Sequence, residues 1–274
     1  MWESVASAWE RNADFVDTHL AAATEAMLDA VQIGPGEAVL DLAAGPGGTG
    51  IAAASRVGEA GRVVITDVSP SMVEAAARRS AALPHVSTRL ADLIATDGMN
   101  AEFDVVTCRH GLMFAEPPAA AVREAARVLR PGGRYAAMTW DARSSNPWLG
   151  LILDAVGEQF GVPFPPPNVP GPFALDDPDP LGALLREGDL QDVRVTRVAT
   201  PMSAESLEAW WERVPELAGP LAIALAGMEP AARQQIHARA LAAGAAASRS
   251  VPNGIEFDGS VLVATGRVGP KPAA

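Results

Sequence analysis

The clearest candidate for chemistry in this chain is the stretch from Val39 to Gly50, which reads VLDLAAGPGGTG. An apolar run ends in Asp41, and a glycine-rich turn follows it. Glycine has no Cβ, so it lets the backbone turn sharply and approach a ligand closely. The first turn of a following helix offers unpaired N–H groups to an anionic ligand group. The stretch therefore predicts a buried strand, a turn and a helix around a nucleotide-like cofactor.

The position of Asp41 distinguishes two kinds of cofactor. Gly45, Gly47 and Gly50 alone satisfy the G-x-G-x-x-G spacing of dinucleotide sites, which is a weak motif by itself. Asp41 lies four residues before Gly45. A carboxylate at this position does nothing for a pyrophosphate, whereas it stabilises a cofactor that carries an ammonium and a sulfonium group. The motif therefore favours the second kind of cofactor.

Strands and helices alternate along the first half of the chain. This alternation indicates a parallel sheet with helices on both faces, and ligands of such sheets bind at the carboxyl ends of the strands. Asp41, Asp67, Asp92 and Cys108 fall at those ends, so we expect them to converge in space. The strands are predicted at 38–42, 62–67, 86–90, 103–108 and 134–140.

The flanking segments predict a cover and a lid around this sheet. Helix formers dominate the N-terminus, prolines crowd one later loop, and an alanine-rich stretch separates two alternating runs. These patterns predict a helix at 3–32, an extended loop at 163–172, strands at 192–200 and 260–265, and a helical insertion at 203–247. We expect one domain with a helical cover at 1–33, a cofactor-binding core at 34–141, a proline-rich loop and helical lid around the strand at 190–200 within 142–250, a final strand at 251–268, and a disordered tail at 269–274.

Five landmarks stand in the order typical of one family: the Asp41–Gly50 loop, Asp67, Asp92, the Phe103–Cys108 strand, and the Ala125–Gly133 segment AARVLRPGG. Together they resemble the class I S-adenosylmethionine-dependent methyltransferases, especially the small-molecule branch that includes ubiquinone and menaquinone methyltransferases. The resemblance is strong over residues 36–141. It implies a doubly wound α/β fold with a mostly parallel, seven-stranded Rossmann-like sheet, an N-terminal covering helix and a helical insertion before the last strand.

The resemblance also implies roles for individual residues. Asp67 is expected to accept hydrogen bonds from both ribose hydroxyls, Asp92 to accept from the adenine amino group, and Met72 to lie against the adenine ring. Each has a plainer alternative: Asp67 as a helix cap, Asp92 as a turn residue, and Met72 as core. The residues predicted to bind S-adenosylmethionine, or its product S-adenosylhomocysteine, are Asp41, Ala43, Gly45, Gly47, Asp67, Val68, Met72, Asp92, Leu93, Cys108 and Arg109.

His110 is the candidate catalytic residue, because it lies two residues past the fourth strand, where a base could reach an acceptor that must lose a proton. Its alternative is a hydrogen bond to loop backbone. Arg109 could contact an acidic acceptor or pair with a neighbouring carboxylate, and Cys108 could be a small packed residue. His19, on the N-terminal helix, is a weaker candidate for the base. No metal is predicted.

Composition narrows the classes of partner. The net charge is −12, and Lys271 is the only lysine, so a nucleic acid is not expected as a substrate. Apolar runs are too short to span a membrane. The single cysteine and the absence of a basic-then-apolar N-terminus favour a cytoplasmic protein.

The favoured function is methyl transfer to O, N or C of a small, largely apolar molecule. One alternative is a cyclase or isomerase that binds the same cofactor without transferring its methyl group. A nicotinamide oxidoreductase is disfavoured by Asp41 and by the lack of a recognisable hydride site, Tyr135 being the only tyrosine. Trp210 and Trp211 would point about 100° apart on one helix. We expect one to pack in the core and the other to face the acceptor cavity.

Overall fold

The computed structural model describes residues 1–167 and 169–270, so the last four residues of the predicted tail, 271–274, lie outside the described residues. The strands are β1 (Ala38–Asp41), β2 (Arg62–Asp67), β3 (Val86–Leu90), β4 (Phe103–Arg109), β5 (Leu129–Trp140), β6 (Leu190–Ala199), β7 (Met202–Ala204), β8 (Arg249–Val251), β9 (Gly254–Phe257) and β10 (Ser260–Val268). The helices are α1 (Trp2–Arg11), α2 (Ala13–His19), α3 (Ala21–Ala30), α4 (Gly48–Val57), α5 (Pro70–Arg79), α6 (Pro118–Val128), α7 (Pro147–Phe160), α8 (Pro178–Glu187), α9 (Leu207–Leu217), α10 (Gly219–Ala226) and α11 (Pro230–Ala247).

Within the described ranges, seven strands form one sheet in the order β3-β2-β1-β4-β5-β10-β6. The first five strands of this order run parallel to one another, and β10 is antiparallel to both β5 and β6. Buried apolar side chains cover both faces of the sheet and pack against the helices. The predicted fold class, a doubly wound and mostly parallel sheet, is confirmed.

Local signals set the helix that follows β2. Ser69 caps α5, because its Oγ accepts a hydrogen bond from the backbone N–H of Met72 at 3.3 Å. Pro70 occupies the first helical position, where a missing N–H costs nothing. Helix α5 therefore begins three residues after β2 ends, which leaves Asp67 at the carboxyl edge of the sheet.

The N-terminal cover differs from the predicted single helix. It consists of α1, α2 and α3, which are separated at Asn12 and Leu20. The Asn12 side chain donates to the carbonyl of Ala8 at 2.9 Å, and this local bond competes with continuation of the helix. The breaks let the cover change direction: α1 contacts α5 and α9, whereas α3 packs on β5 and β10.

Helix α1 is attached to α5 by polar contacts at the surface. The Glu3 carboxylate accepts from the hydroxyls of Ser69 and Ser71, and Arg78 donates to Glu10 with Nε to Oε1 at 2.9 Å. Solvent-exposed pairs of this kind contribute little stability each and are screened by salt.

Two other segments depart from the predictions. Residues 130–133, which precede the predicted strand at 134–140, form an irregular part of β5: Phe103 pairs with Leu129, whereas Val105 pairs with Arg134. The insertion before β10 contains α9, α10 and α11 as expected, but β7, β9 and β8 also form a small antiparallel sheet there. These strands have only three or four residues, too few to show a clear alternation. None of the helices in the described ranges has the length and apolarity to cross a membrane.

Candidate active site

A cavity of about 320 Å³ opens at the carboxyl ends of β1, β2, β3 and β4, under helix α1. We call this cavity the first chamber. Asp41, Gly47 and Cys108 do not contribute to its lining within the described part of the chain. The predicted site residues that it does bring together are Ala43, Gly45, Asp67, Val68, Met72, Asp92, Leu93, Arg109 and His110.

Asp67 ends β2 and faces the first chamber. Its Oδ2 accepts from the backbone N–H of Gly45 and its Oδ1 from that of Ser69, both at 2.9 Å. Burial raises the pKa of this carboxyl, and the backbone hydrogen bonds oppose that rise. A carboxylate has about four lone-pair sites, so both oxygens keep capacity for a ligand diol. The α5 cap is Ser69, which leaves Asp67 free for the ribose role that remains predicted.

Asp41 lies behind the glycine turn and is fully buried. Its Oδ1 accepts from the Thr107 hydroxyl at 2.7 Å, while Oδ2 has no partner among the described residues. Burial raises the pKa of this carboxyl to about 7, against the Thr107 hydrogen bond and the Arg109 charge. Near neutral pH the carboxyl is therefore poised between its two forms, and a cation in the first chamber would favour the ionised one.

The glycine turn itself uses left-handed backbone. Gly45 has φ +55° and Gly47 has φ +87°. A Cβ on Gly47 would lie 3.1 Å from the Cβ of Ala76, so this glycine permits close packing of the turn on α5. Gly45 forms part of the chamber wall, where the absence of a side chain keeps the space open. Ala43 also has positive φ, +49°, although it is not a glycine.

The far wall of the first chamber is a mostly apolar slot with one acid at its rim. Met72 is buried, yet its Sδ would lie 4.0 Å from a Cβ on Gly45, so it serves both the core and the wall. Val68 and Leu93 add apolar surface. Asp92 is exposed, and its Oδ1 accepts from the Ile94 backbone N–H at 3.0 Å. It thus shapes the local turn and also borders the slot, which suits a flat heteroaromatic ring with a polar edge.

Arg109 ends β4 and joins the cover to the sheet. Its Nη2 lies 3.0 Å from Asp17 Oδ1, and its Nη1 donates to Thr24 Oγ1 at 3.0 Å. Asp17 also pairs with Arg79 at 2.7 Å. A Cβ on Gly48 would lie 1.9 Å from Asp17 Oδ1, so a glycine is needed there. Arg109 therefore pairs with a neighbouring carboxylate, and Asp17 is a site-forming residue that no sequence signal marked.

Cys108 does not face the ligand cavity, contrary to its placement in the predicted cofactor set. Successive side chains of a strand point to opposite faces, so Cys108 points away from the side occupied by Thr107 and Arg109. Its thiol is buried beside Tyr135, and burial raises its pKa to about 12. The alternative interpretation, a small packed residue, is the one that the structure supports.

A second cavity of about 110 Å³ adjoins the first, and we call it the second chamber. Its walls are largely aromatic, with Trp140 and Trp148 edge to face at a centroid distance of 4.9 Å. No Asp, Glu, Lys or Arg lines it within residues 1–167 and 169–270. Helix α9 contributes Val214 and Leu217 to its wall. The residues shared by both chambers are Trp2, Trp9, Val16, Leu20, His110 and Phe114.

His110 stands at the junction of the two chambers. Its ring stacks on Trp140 with centroids 4.1 Å apart and planes at 17°, and its backbone has φ +60°. Neither ring nitrogen has a hydrogen-bond partner among the residues that the structure describes. The side chain therefore makes no bond to loop backbone there. Burial, and then the positive charge of Arg109, hold the pKa of His110 well below its ordinary value, so the imidazole is neutral.

His19 lines the second chamber but not the first. Its ring packs near Phe15 and Trp148, each with a centroid distance of 6.0 Å. Burial lowers its pKa to about 4. Its Nε2 is buried without a partner in the described part of the chain. His19 was the weaker candidate from the sequence, because it lies far from the strand ends along the chain although the fold brings it close to them.

The tryptophan hypothesis is confirmed for the residue in the core and wrong for the residue expected at the acceptor cavity. Trp210 is fully buried, and its Nε1 donates to the carbonyl of Trp148 at 2.7 Å. Trp211 packs beside His237 with ring centroids 5.0 Å apart. Neither contributes to the chamber walls in the described residues. The tryptophans that do were not assigned, although Trp140 sits at the carboxyl end of β5, a position that could have marked it. No group of three potential metal ligands occurs among the described residues.

Comparison with known proteins agrees with this geometry. A family model described as a methyltransferase domain matches residues 39–133. Demethylmenaquinone methyltransferase of Beutenbergia cavernae is 40% identical over 123 residues, which are 45% of this chain and 48% of that protein. The resemblance to class I S-adenosylmethionine-dependent methyltransferases is confirmed. It now rests on sequence similarity as well as on the order of the strand-end acids.

Two further proteins extend the comparison beyond the first half of the chain. Nocamycin O-methyltransferase of Saccharothrix syringae is 33% identical over 196 residues, 70% of this chain and 56% of that protein. The YcgJ protein of Bacillus subtilis has the same fold, with a TM-score of 0.60 and 17% identity over 92% of this chain and 100% of that one. The chain spans about half the length of the demethylmenaquinone and nocamycin methyltransferases.

Proposed function

We propose that this chain is an S-adenosylmethionine-dependent methyltransferase that acts on a small, largely apolar acceptor. The observation that carries the proposal is the meeting of two unlike chambers at His110. The first chamber has carboxylates and a glycine turn at the strand ends, whereas the second has an aromatic lining. A charged, polar cofactor and an apolar acceptor would thus occupy adjoining spaces with their reacting groups at the junction.

The residues of the first chamber fit this cofactor. Asp67 has acceptor capacity for the ribose hydroxyls, and Met72 with Leu93 borders a slot suited to adenine. Gly45 leaves room for the methionine portion. Asp41, behind the turn, has an unpaired oxygen among the described residues and a pKa near 7, so it can ionise when an ammonium group approaches. When bound, the cofactor would supply a methyl group activated by a sulfonium, with S-adenosylhomocysteine as the leaving group.

The protein's own part in the reaction is to position the acceptor, exclude water and hold a proton. Trp2 and Trp9 cover both chambers, so the junction is shielded from solvent. Trp140 and Trp148 restrict the orientation of the acceptor, and such positioning supplies much of the rate enhancement in a two-reactant step. His110 is neutral and has no partner among the described residues. It can take the proton of a hydroxyl or amine acceptor.

Removal of the Asp67 carboxylate tests the cofactor site. Asp67→Ala should weaken binding of S-adenosylmethionine by about 2–3 kcal/mol, the typical loss for hydrogen bonds to a charged group. This loss is roughly 30- to 150-fold in Kd, measured by calorimetry. Asp67→Asn keeps the size of the side chain, and Glu59→Ala, on an exposed turn, is the control for nonspecific effects. Unchanged affinity in a folded Asp67→Ala protein would remove Asp67 from the site.

The same titrations separate the alternative functions. An oxidoreductase would bind NAD(P) in preference to S-adenosylhomocysteine, whereas we expect binding of the latter alone. A cyclase or isomerase would bind the cofactor but leave it unconverted after incubation with a true acceptor. Release of S-adenosylhomocysteine with that acceptor therefore distinguishes methyl transfer from the cyclase alternative.

Three expectations from the sequence accompany this proposal as predictions. A cytoplasmic location is favoured by the single cysteine, and a nucleic-acid partner is disfavoured by the net charge of −12. The organisation as one domain with a cover, a core and a lid is the third. Cell fractionation, a nucleic-acid shift assay and limited proteolysis test them in turn.

A further inference from the structure

His19 lines the second chamber, and its Nε2 is buried without a hydrogen-bond partner among the described residues. The backbone carbonyl of Pro201 is the hydrogen-bonding group that favours the His19 proton. Since Nε2 has no partner in the described residues, we infer that Nδ1 is the nitrogen that carries the proton and faces that carbonyl. Neutral imidazole has one donor and one acceptor nitrogen. Nε2 is therefore a hydrogen-bond acceptor in a cavity whose other lining side chains, apart from His110, are apolar or aromatic.

We propose that His19 Nε2 is the polar anchor of the acceptor site, and that it selects an uncharged aromatic compound carrying a hydroxyl group. The assignment rests on the proposed function only in that it calls the bound compound a methyl acceptor. The selectivity of the second chamber is a property of this chain's own residues and can be measured without the cofactor.

The lining of the second chamber determines the class of compound. Trp140, Trp148 and Phe15 offer ring faces and edges, which favour another ring in offset or edge-to-face contact. A cavity of this order accommodates one benzene-sized ring. The chamber has no charged side chain among the described residues, so an ionised ligand would lose its hydration without gaining a counter-charge.

The free nitrogen determines the substituent. A buried acceptor without a partner is unfavourable, and a ligand hydroxyl or ring N–H that reaches Nε2 would satisfy it. A ligand ether or carbonyl would not bond to Nε2, because its oxygen is itself an acceptor and has no proton to donate. Both imidazoles pack near Trp140, with ring centroids at 4.1 Å for His110 and 6.5 Å for His19. His110 also lines the first chamber, whereas His19 does not. The two imidazoles therefore have separate tasks: His19 fixes one polar group of the ligand, while His110 meets the atom at the junction.

A matched pair of small probes tests this assignment: p-cresol, which has a phenolic donor, and its methyl ether 4-methylanisole. Binding is followed by NMR titration of the full chain without cofactor, with histidine labelled by ¹⁵N. We expect the wild type to prefer p-cresol by about 3- to 10-fold, the range for one neutral hydrogen bond. In the free protein, the ¹⁵N signals of His19 should show the proton on Nδ1, and p-cresol should shift the Nε2 signal.

Three variants assign the preference to one residue. His19→Phe should bind both probes about equally, and His19→Gln should keep part of the preference because its Oε1 is an acceptor. His110→Asn, whose side chain tolerates the left-handed backbone, should keep the preference. Equal binding of the probes by wild type, loss of preference in His110→Asn instead of His19→Phe, or a proton on Nε2 would each overturn the assignment. Calorimetry with S-adenosylhomocysteine reports separately on the proposed function.

Discussion

Replacement of His19 should change how stability depends on pH, and the sign of the change follows from its burial. The pKa of His19 is ordinarily 6.5, and burial lowers it to about 4 in the folded chain. Between these values the unfolded chain binds a proton that the folded chain does not. Unfolding is therefore favoured as the pH falls from 6.5 towards 4, whereas above 6.5 both states are neutral and His19 contributes no pH dependence.

The size of the effect follows from the two pKa values. At about pH 5, protonation favours the unfolded chain by a factor of about 30, which is about 2 kcal/mol of unfolding free energy. At about pH 7.5 the corresponding term is close to zero. Asp41 acts in the opposite direction, because its pKa is raised to about 7 and the folded chain retains a proton there. The wild-type profile alone mixes these contributions, so a difference between proteins is required.

Urea unfolding of wild type and His19→Phe at the two pH values isolates the His19 contribution. The variant lacks the bond to Pro201 at every pH. As the pH falls from about 7.5 to about 5, its free energy of unfolding should rise by about 2 kcal/mol relative to that of wild type. Leu149→Ala, in the wall of the same chamber, has no group that titrates and should keep a constant deficit. If the difference in unfolding free energy between wild type and His19→Phe does not change with pH, the second chamber does not desolvate His19.

Three other predictions concern the cofactor edge. Ala43→Gly should raise stability by roughly 1 kcal/mol in thermal denaturation, because a non-glycine residue at φ +49° carries that cost; a lower Tm would contradict it. Gly48→Ala should destabilise by about 1–2 kcal/mol by displacing the Asp17 carboxylate. Most of this loss should disappear in an Asp17→Ala background, which lacks the conflicting atoms, and additive losses would refute that coupling. The ammonium of S-adenosylhomocysteine favours ionised Asp41, so in calorimetry the affinity should weaken by up to about tenfold per pH unit below pH 7. The Asp41→Asn variant should show no such dependence on pH. The same slope in that variant and in wild type would rule out Asp41.

The cofactor edge of the fold could be predicted because its signals are local. Asp41 and Asp67 each end a short apolar run, and the parallel sheet brings such ends to one edge whatever lies between them in sequence. The register places Asp41 beside Thr107, whose hydroxyl bonds to it. Cys108 does not line the first chamber among the described residues, because a strand end alone does not tell which face its side chain takes, and a single residue of register reverses that face.

The second chamber could not be predicted in the same way. Its walls come from segments far apart in sequence, such as Trp9 on α1, Trp148 on α7 and Leu217 on α9. No spacing rule relates them, because their proximity results from packing of the cover and insertion against the sheet. The adjacent pair Trp210 and Trp211 attracted attention as a local feature, yet local features say little about a cavity assembled by tertiary contacts.

Trp2 and Trp9 belong to the walls of both chambers, and this sharing has a thermodynamic consequence. A ligand in either chamber contacts α1 and favours the position in which that helix covers the other. By linkage, if a ligand in the second chamber raises the affinity of the first chamber by some factor, a ligand in the first chamber raises the affinity of the second chamber by the same factor. The α1 attachments at Glu3 and Glu10 are polar contacts at the surface, so the equilibrium that transmits this factor depends on ionic strength. Salt screens these contacts, so the coupling between the two ligands would vary with salt by no more than the small free energy that the contacts contribute.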